Sequence, residues 1–367
     1  MIVLGIETSC DETSIAFLKA EKNKNGFFIM PLGNAVASQI KIHNRYGGIV
    51  PMLASREHVK NIAFIAQKAA EEVFGKKNFA EKINLIAATK GPGLIPSLLV
   101  GVNFAKALAF GWNKPLIGVN HLEGHLYSFL LPKNKEKKLL SFAQLKKIFP
   151  AICLLVSGGH TQLIYLENLY KFKVIGETRD DAAGECFDKG ARILGLSYPG
   201  GPAIANEAAK YRIQDTEYKI QKLPRPMADS DNYDFSFSGL KTALLYLTQK
   251  LGSQKTKKLL PALAFEFQEA IVDTLIKKTC KAIKTKNPKS LILAGGVSAN
   301  QQLRNKFKEE LKKENLKINF FAPELEYATD NAIMIALAGF LNYERASEAR
   351  KRRSKWKNLK ADANLKL

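Results

Sequence analysis

The chain opens with a short apolar block, a polar turn and a second apolar block. Residues 2–6 read as a buried strand, 7–13 as the turn, and 14–19 as the strand that returns from it. The same unit recurs at 151–156, where an apolar strand meets Ser157-Gly158-Gly159-His160-Thr161 and comes back through residues 162–166. A strand-turn-strand unit used twice predicts two related halves. Further apolar runs at 85–89, 116–119 and 290–294 each lead into a helical pattern, as strands of an α/β sheet do. Residues 56–74 carry Val59, Ile62, Ala63, Ala66 and Ala69 at helical spacing, and 262–283 repeat that spacing through Phe267, Ile271 and Leu275. Both are predicted to turn an apolar face to a core, so each half is expected to be a mixed sheet flanked by helices.

Residues 132–150 interrupt this order. They hold Lys133, Lys135, Lys137, Lys138, Lys146 and Lys147 and read as an exposed connection between a first half, 1–131, and a second half, 151–329. After Asn342 nine Lys or Arg stand against Glu344, Glu348 and Asp362, so 346–367 reads as a basic tail, either a solvated end or a contact for RNA phosphates.

Composition narrows the classes. The 367 residues, 46% of them hydrophobic, are enough to bury a core and favour two domains over disorder. Lys plus Arg number 56 against 34 acidic residues, a formal net charge of +22 that favours polyanionic partners. Because 45 of those cations are Lys and 11 are Arg, surface solvation competes with that reading. Cys10, Cys153, Cys186 and Cys280 lie far apart with no C-x-x-C pair, which suggests neither a disulfide framework nor a zinc knuckle and fits a reducing cytoplasm. The N-terminal apolar stretch lacks a basic start and is too short for an export signal. The longest apolar run, 98–112, is broken by Asn103 and Lys106 and falls short of the roughly 20 residues that span a bilayer. A cytoplasmic protein with no membrane partner is expected.

Two turns could hold an anion. Val156-Ser157-Gly158-Gly159-His160 and Ala294-Gly295-Gly296-Val297-Ser298-Ala299-Asn300 each follow a buried strand, and Gly leaves the backbone N–H groups accessible. Gly91-Pro92-Gly93 is a third turn of this kind, while a plain turn is the competing reading of each. No G-x-x-x-x-G-K-[ST] or G-x-G-x-x-G stands at a fitting place, which removes the P-loop and dinucleotide fingerprints.

His121-Leu122-Glu123-Gly124-His125 puts two imidazoles at i and i+4, on one helix face, where they can share a metal ion. A third, anionic ligand is needed, and Asp330, ahead of the apolar helical run 332–341, is the candidate by type and setting. Its competing role is the N-cap of that helix. A His-His-Asp set suits Fe(II) or Zn(II). The spacing also invites a peptidase reading, but Glu123 is two residues from His121, about 200° around the helix, and cannot be the base of an H-E-x-x-H site.

Residues 5–13 (Gly-Ile-Glu-Thr-Ser-Cys-Asp-Glu-Thr), His121 to His125, 156–162, and Tyr198-Pro199-Gly200-Gly201-Pro202 together resemble the TsaD family. So do Phe235-Ser236-Phe237-Ser238-Gly239-Leu240-Lys241-Thr242-Ala243, 295–300 and Ala328-Thr329-Asp330-Asn331, all in the family's order between Leu4 and Ala338. The His160 form of the second turn is similar to the bacterial branch.

The resemblance implies an actin/sugar-kinase/Hsp70-like α/β fold with two related lobes around a central cleft. It also implies an insertion over about 178–237 and a final helix over about 330–345 packed back on the first lobe. The implied activity is transfer of threonylcarbamoyl from threonylcarbamoyl-adenylate to N6 of an adenosine in tRNA, with partner proteins resembling TsaB and TsaE.

Carried over by motif, His121, His125 and Asp330 match the ligands of a divalent ion, Fe(II) first and Zn(II) as the alternative. Val156, Ser157, Gly158, Gly159, His160, Asp188, Gly201 and Asn300 match substrate-binding positions. Asp11, in the first turn, is the candidate proton acceptor, with stabilisation of the turn as its competing role. Asp188 could instead be a helical Asp paired with Lys189 or Arg192. Where the family often has a carboxylate four residues after Gly201, this chain has Ala205. An ATPase or small-molecule kinase of the same fold, and a nucleic-acid-binding protein without transfer activity, are the other classes the sequence allows.

Overall fold

The computed structural model describes residues 1–76, 79–133, 136–211, 220–347 and 356–367. In chain order the elements are β1 Ile2–Glu7, β2 Glu12–Asn23, β3 Gly26–Ser38, α1 Ile40–His43, α2 Pro51–Phe74, β4 Leu85–Gly91, α3 Ile95–Gly111, β5 Leu116–Asn120, α4 His121–Tyr127, β6 Lys138–Ser141 and α5 Phe142–Ile148. They continue as β7 Ala151–Val156, β8 Thr161–Leu166, β9 Phe172–Glu177, α6 Ala183–Ile193, α7 Gly200–Ala208, α8 Ser238–Lys258, α9 Leu260–Lys286, β10 Ser290–Ala294, α10 Gln301–Lys313, β11 Asn319–Phe321, α11 Leu325–Ala328 and α12 Ala332–Arg345. The chain forms two compact units, the first from 1–42, 49–145 and 323–367, the second from 43–48 and 146–322.

Both units carry one strand order. In the first unit the sheet runs β5-β4-β1-β2-β3-β6, and in the second β11-β10-β7-β8-β9. β1 pairs antiparallel with β2 and parallel with β4, just as β7 pairs antiparallel with β8 and parallel with β10. The repeated apolar strands at 2–6 and 151–156 are therefore the equivalent inner strands of two sheets. β7 is buried along its whole length, as a strand covered on both faces requires. The expected actin/sugar-kinase/Hsp70-like α/β class is borne out.

Three local expectations need correction. Residues 138–148, expected to belong to a Lys-rich connection, form the edge strand β6 and helix α5. Leu140, Leu145 and Ile148 are buried while Lys146 and Lys147 are exposed, so a lysine count hid a packed segment. On α2 the buried stripe is Ala54, His58, Ile62, Ile65 and Ala69, and Val59 is 63% exposed rather than core-facing. In the basic tail, 356–367 is laid against the first unit: Asp362 N–H reaches Lys90 O at 2.7 Å and the side-chain amide of Asn120 donates to Lys366 O at 3.0 Å. The tail residues 348–355, Lys135 and residues 212–219 of the expected insertion lie outside the described residues. Among the described residues no helix is long and apolar enough to cross a membrane.

Candidate functional site

In the first unit, α4 starts directly from the end of β5. Asn120 closes the strand and caps the helix, its Oδ1 accepting the Leu122 N–H at 2.8 Å. The i, i+4 spacing then sets the rings of His121 and His125 4.7 Å apart and nearly perpendicular. Asp330 arrives 205 residues later on the turn ahead of α12. Its Oδ1 lies 3.0 Å from His125 Nε2 and 3.4 Å from His121 Nε2, and the ligand atoms of all three residues fall within 4.8 Å of one another.

Small residues make that approach possible. A Cβ on Gly5 would stand 2.1 Å from Ala332 O, and one on Gly124 would stand 2.9 Å from the Ile335 side chain, so α12 lies directly on β1 and α4. Ser14 of β2 fixes the start of α12 by accepting the Ala332 N–H at 2.9 Å. Asp330 is not the cap of this helix: Asn331 is, its Oδ1 accepting the Met334 N–H at 3.0 Å.

The electrostatics follow from this packing. Burial opposes ionisation of Asp330, but the charge of His121 and hydrogen bonds from both histidines outweigh it and hold the carboxyl far below its ordinary range. Burial likewise opposes protonation of His121, yet Glu7 and Asp330 push this imidazole well above its usual range. A cation held by the three ligand atoms would take the place of that proton.

Two residues near the cluster, Glu7 and His58, were not singled out from the sequence. Glu7, the last residue of β1, is fully buried; its Oε2 accepts from Thr89 Oγ1 at 2.7 Å and His121 Nδ1 at 2.8 Å, and its Oε1 accepts the Ser9 N–H at 2.5 Å. A carboxylate closing an apolar strand is the signal that could have found it, because such a charge must be paired. Asp11 sits in the turn that follows, buried, with its carbonyl accepting the Gln39 N–H at 3.0 Å. His58 pins the same turn: Nε2 donates to Cys10 O at 3.0 Å and Nδ1 accepts from Thr13 Oγ1 at 2.8 Å. Glu123 turns away from the cluster and accepts from the Asn342 amide at 2.6 Å.

The second unit gathers its turns around the end of β7. The Ser157 N–H donates to His160 O at 2.8 Å and the His160 N–H to Ser157 Oγ at 3.1 Å, closing a turn whose Gly158 and Gly159 face open space. A Cβ on Gly184 would lie 2.5 Å from Ser157 O, and one on Gly295, at φ +83°, would lie 2.4 Å from Val156 O. The start of α6 and the turn after β10 therefore both press on Val156 and Ser157. Asn300 caps α10 through Oδ1, 3.0 Å from the Leu303 N–H, while its Nδ2 donates to Gln268 Oε1 at 2.9 Å.

Asp188, on α6, accepts the Gly200 N–H at 2.7 Å and so ties α6 to the start of α7, where Gly201 faces open space. Lys189 pairs with Asp181 and Glu185, and Arg192 donates to the Gly47 carbonyl. Ala205 is half-buried in α7. Open backbone N–H groups beside helix starts are suited to phosphate and other anionic groups.

These features define a class: an α/β protein of the actin/sugar-kinase/Hsp70 fold with a His-His-Asp cluster in one unit and open glycine turns in the other. Solved structures share the fold. Full-length HypF in the phosphate- and nucleotide-bound form matches at a TM-score of 0.55 and 13% identity over 95% of this chain and 47% of that one. HypF from T. kodakarensis matches at 0.51 and 14% over 93% and 47%. This chain spans about half the length of those proteins.

The family model for TsaD, tRNA N6-adenosine threonylcarbamoyltransferase, matches residues 31–337. Relatives of that name include one from Thermosipho africanus, 45% identical over the full length of both chains, and one from Caldicellulosiruptor saccharolyticus, 46% identical over 93% of this chain and 92% of the relative. The chain belongs to the TsaD family of transferases.

Proposed function

We propose that this chain transfers the threonylcarbamoyl group of threonylcarbamoyl-adenylate to N6 of the adenosine next to the anticodon, in tRNAs reading codons that begin with A, and releases AMP. The observation that carries this reading over a kinase or ATPase of the same fold is the convergence of His121, His125 and Asp330, which phosphoryl transfer on this scaffold does not call for. The donor set fits a divalent ion: two imidazole nitrogens, neutral once the ion has displaced the proton, and one carboxylate oxygen, all within 4.8 Å of one another. Fe(II) is the first assignment and Zn(II) the second. Bound there, the ion supplies a Lewis acid that stabilises the charge developing on the leaving phosphate.

The protein's own part is positioning and proton transfer. N6 forms a bond to the carbamoyl carbon, the bond from that carbon to the phosphate oxygen breaks, and AMP leaves with the electron pair. The N6 proton passes to the Asp11 carboxylate, held in place by the His58 and Gln39 contacts to its turn. Val156, Ser157, Gly158, Gly159, His160, Gly201 and Asn300 hold the adenylate, with Asp188 at its ribose. Acting on tRNA, the protein is assigned to the cytoplasm in this reading, with proteins resembling TsaB and TsaE as its partners for multiple turnover.

The deciding experiment supplies unmodified tRNA and the adenylate, with and without those partners, and follows tRNA nucleosides by mass spectrometry. Threonylcarbamoyladenosine should appear, and repeated turnover should need the partners. ATP hydrolysis with no modified nucleoside, under loaded-metal conditions, would favour the kinase or ATPase reading instead.

A further inference from the structure

We infer that Glu7 is the positioning residue of the metal site, holding the His121 ring by Nδ1 so that Nε2 faces the ion. The inference rests on the metal reading above.

The argument starts from the cost of the carboxylate. Glu7 ends a strand whose other residues are apolar, and its side chain is fully buried. A charge in that position is tolerated only when its oxygens are hydrogen-bonded. An ionised carboxylate can only accept, and all three of its contacts are donors: the Ser9 N–H, Thr89 Oγ1 and His121 Nδ1. Nδ1 of His121 must therefore carry a proton. With Nδ1 committed to Glu7, Nε2, the nitrogen 3.4 Å from Asp330 Oδ1, is the one whose proton a metal ion would replace.

The clamp stands on rigid elements. Parallel pairing of β1 with β4, with Ile6 opposite Ala88, brings Thr89 beside Glu7, so sheet register sets the hydroxyl that orients the carboxylate. Ser9 Oγ lies 3.2 Å from the same Nδ1 and adds a second, longer contact. The other histidine is held differently: His125 Nδ1 is buried and has no hydrogen-bond partner among the described residues. One imidazole of the pair is thus held at Nδ1 by a carboxylate, while the other is held at Nε2 by Asp330 and by the packing of its helix. A buried carboxylate on the far nitrogen fixes the ring and makes it a stronger ligand.

The test uses the whole chain, stripped of metal and titrated with Zn(II) against a chromophoric chelator at constant pH. Glu7→Gln keeps the shape and removes the charge, and should weaken Zn(II) binding about 10- to 100-fold. Thermal melting of the metal-free variant checks that it is folded. Equal affinity in a folded Glu7→Gln protein overturns the inference while leaving the metal site standing. A wild-type chain with no Zn(II) site that His121→Ala abolishes overturns the metal reading, and this inference with it. If Glu7→Gln does not fold, the wild type decides: with 15N-labelled histidines and Zn(II) bound, the ring resonances missing from His121→Ala should show a protonated Nδ1 and a coordinated Nε2. Coordination through Nδ1 overturns the assignment.

Discussion

Asn331 takes the cap of α12, its Oδ1 3.0 Å from the Met334 N–H, and thereby leaves Asp330, one residue earlier, to set its Oδ1 3.0 Å from His125 Nε2. Asp330→Asn should therefore disturb no helix cap. The metal-free variant keeps the cap but loses the pairing of the buried Asp330 carboxylate with His121 and His125, and is expected to be less stable by about 1–3 kcal/mol yet still folded, while metal content and tRNA modification collapse together. His121→Ala and His125→Ala should give the same paired loss. Combined variants should be non-additive, because each removes the one shared ion. Metal analysis, melting and nucleoside mass spectrometry on the set check this, and full metal with full activity in folded Asp330→Asn would reject the triad.

Glu123 lies inside the His121–His125 motif yet bonds Asn342 at 2.6 Å, on α12, away from the ligand edge. Glu123→Gln can keep a hydrogen bond to Asn342. It should cost about 1 kcal/mol or less and leave metal content and transfer near wild type. Loss of transfer with metal content unchanged would show that Glu123 acts in the reaction.

Asp180 holds the start of α8 from a distance. Its Oδ1 accepts the Phe237 N–H at 2.8 Å and the Ser238 N–H at 3.3 Å, and its Oδ2 accepts from the hydroxyls of Ser236 at 2.5 Å and Ser238 at 2.6 Å. Burial alone would raise its pKa, but these bonds outweigh it and hold the carboxyl below the ordinary Asp range. A depressed folded pKa gives stability that is present above the unfolded Asp value and is lost as pH falls through the folded one. Asp180→Asn should cost about 1 kcal/mol at neutral pH, allowing for solvent screening, and the gap should close in acid. Chemical denaturation of both proteins across pH measures it, and a gap independent of pH would refute the cap.

Gly91, at φ +152°, is where the C-terminal strap crosses β4, and a Cβ there would lie 1.8 Å from the Asp362 carbonyl oxygen. Both groups are backbone, so neither can swing aside. Gly91→Ala should loosen the strap at a cost of about 1–3 kcal/mol and speed release of the last residues by carboxypeptidase. Unchanged digestion would mean that the strap is not seated on this glycine.

Much of this protein was written locally. Strands β1, β4, β5, β7, β8 and β10, and helices α6, α9 and α12, announce themselves by apolar runs and helical spacing. So does the shared face of His121 and His125, because backbone geometry alone sets the spacing of side chains four residues apart. The strap also has a local signature: Leu359, Ala361, Ala363, Leu365 and Leu367 alternate with the exposed Lys360, Asp362, Asn364 and Lys366, so the apolar residues share the less exposed side.

What local pattern left open was always a choice between partners. Asp330 could cap or ligate until Asn331 was seen to cap. Asp188 could pair with Lys189 or Arg192 until the Gly200 N–H was found against it. Val59 and Ala69 have equal claims to the apolar face of α2 by spacing, and the sheet beneath admits only Ala69. The sequence alone determined where most of the inner strands and core helices form and which helix face bears the two imidazoles, since those depend on neighbours within a turn or two. Only the tertiary structure decided that Glu7, His121, His125 and Asp330 meet. A buried charge takes its state from groups a few ångströms away in space, and here those groups are brought together across 323 positions of chain, from Glu7 to Asp330.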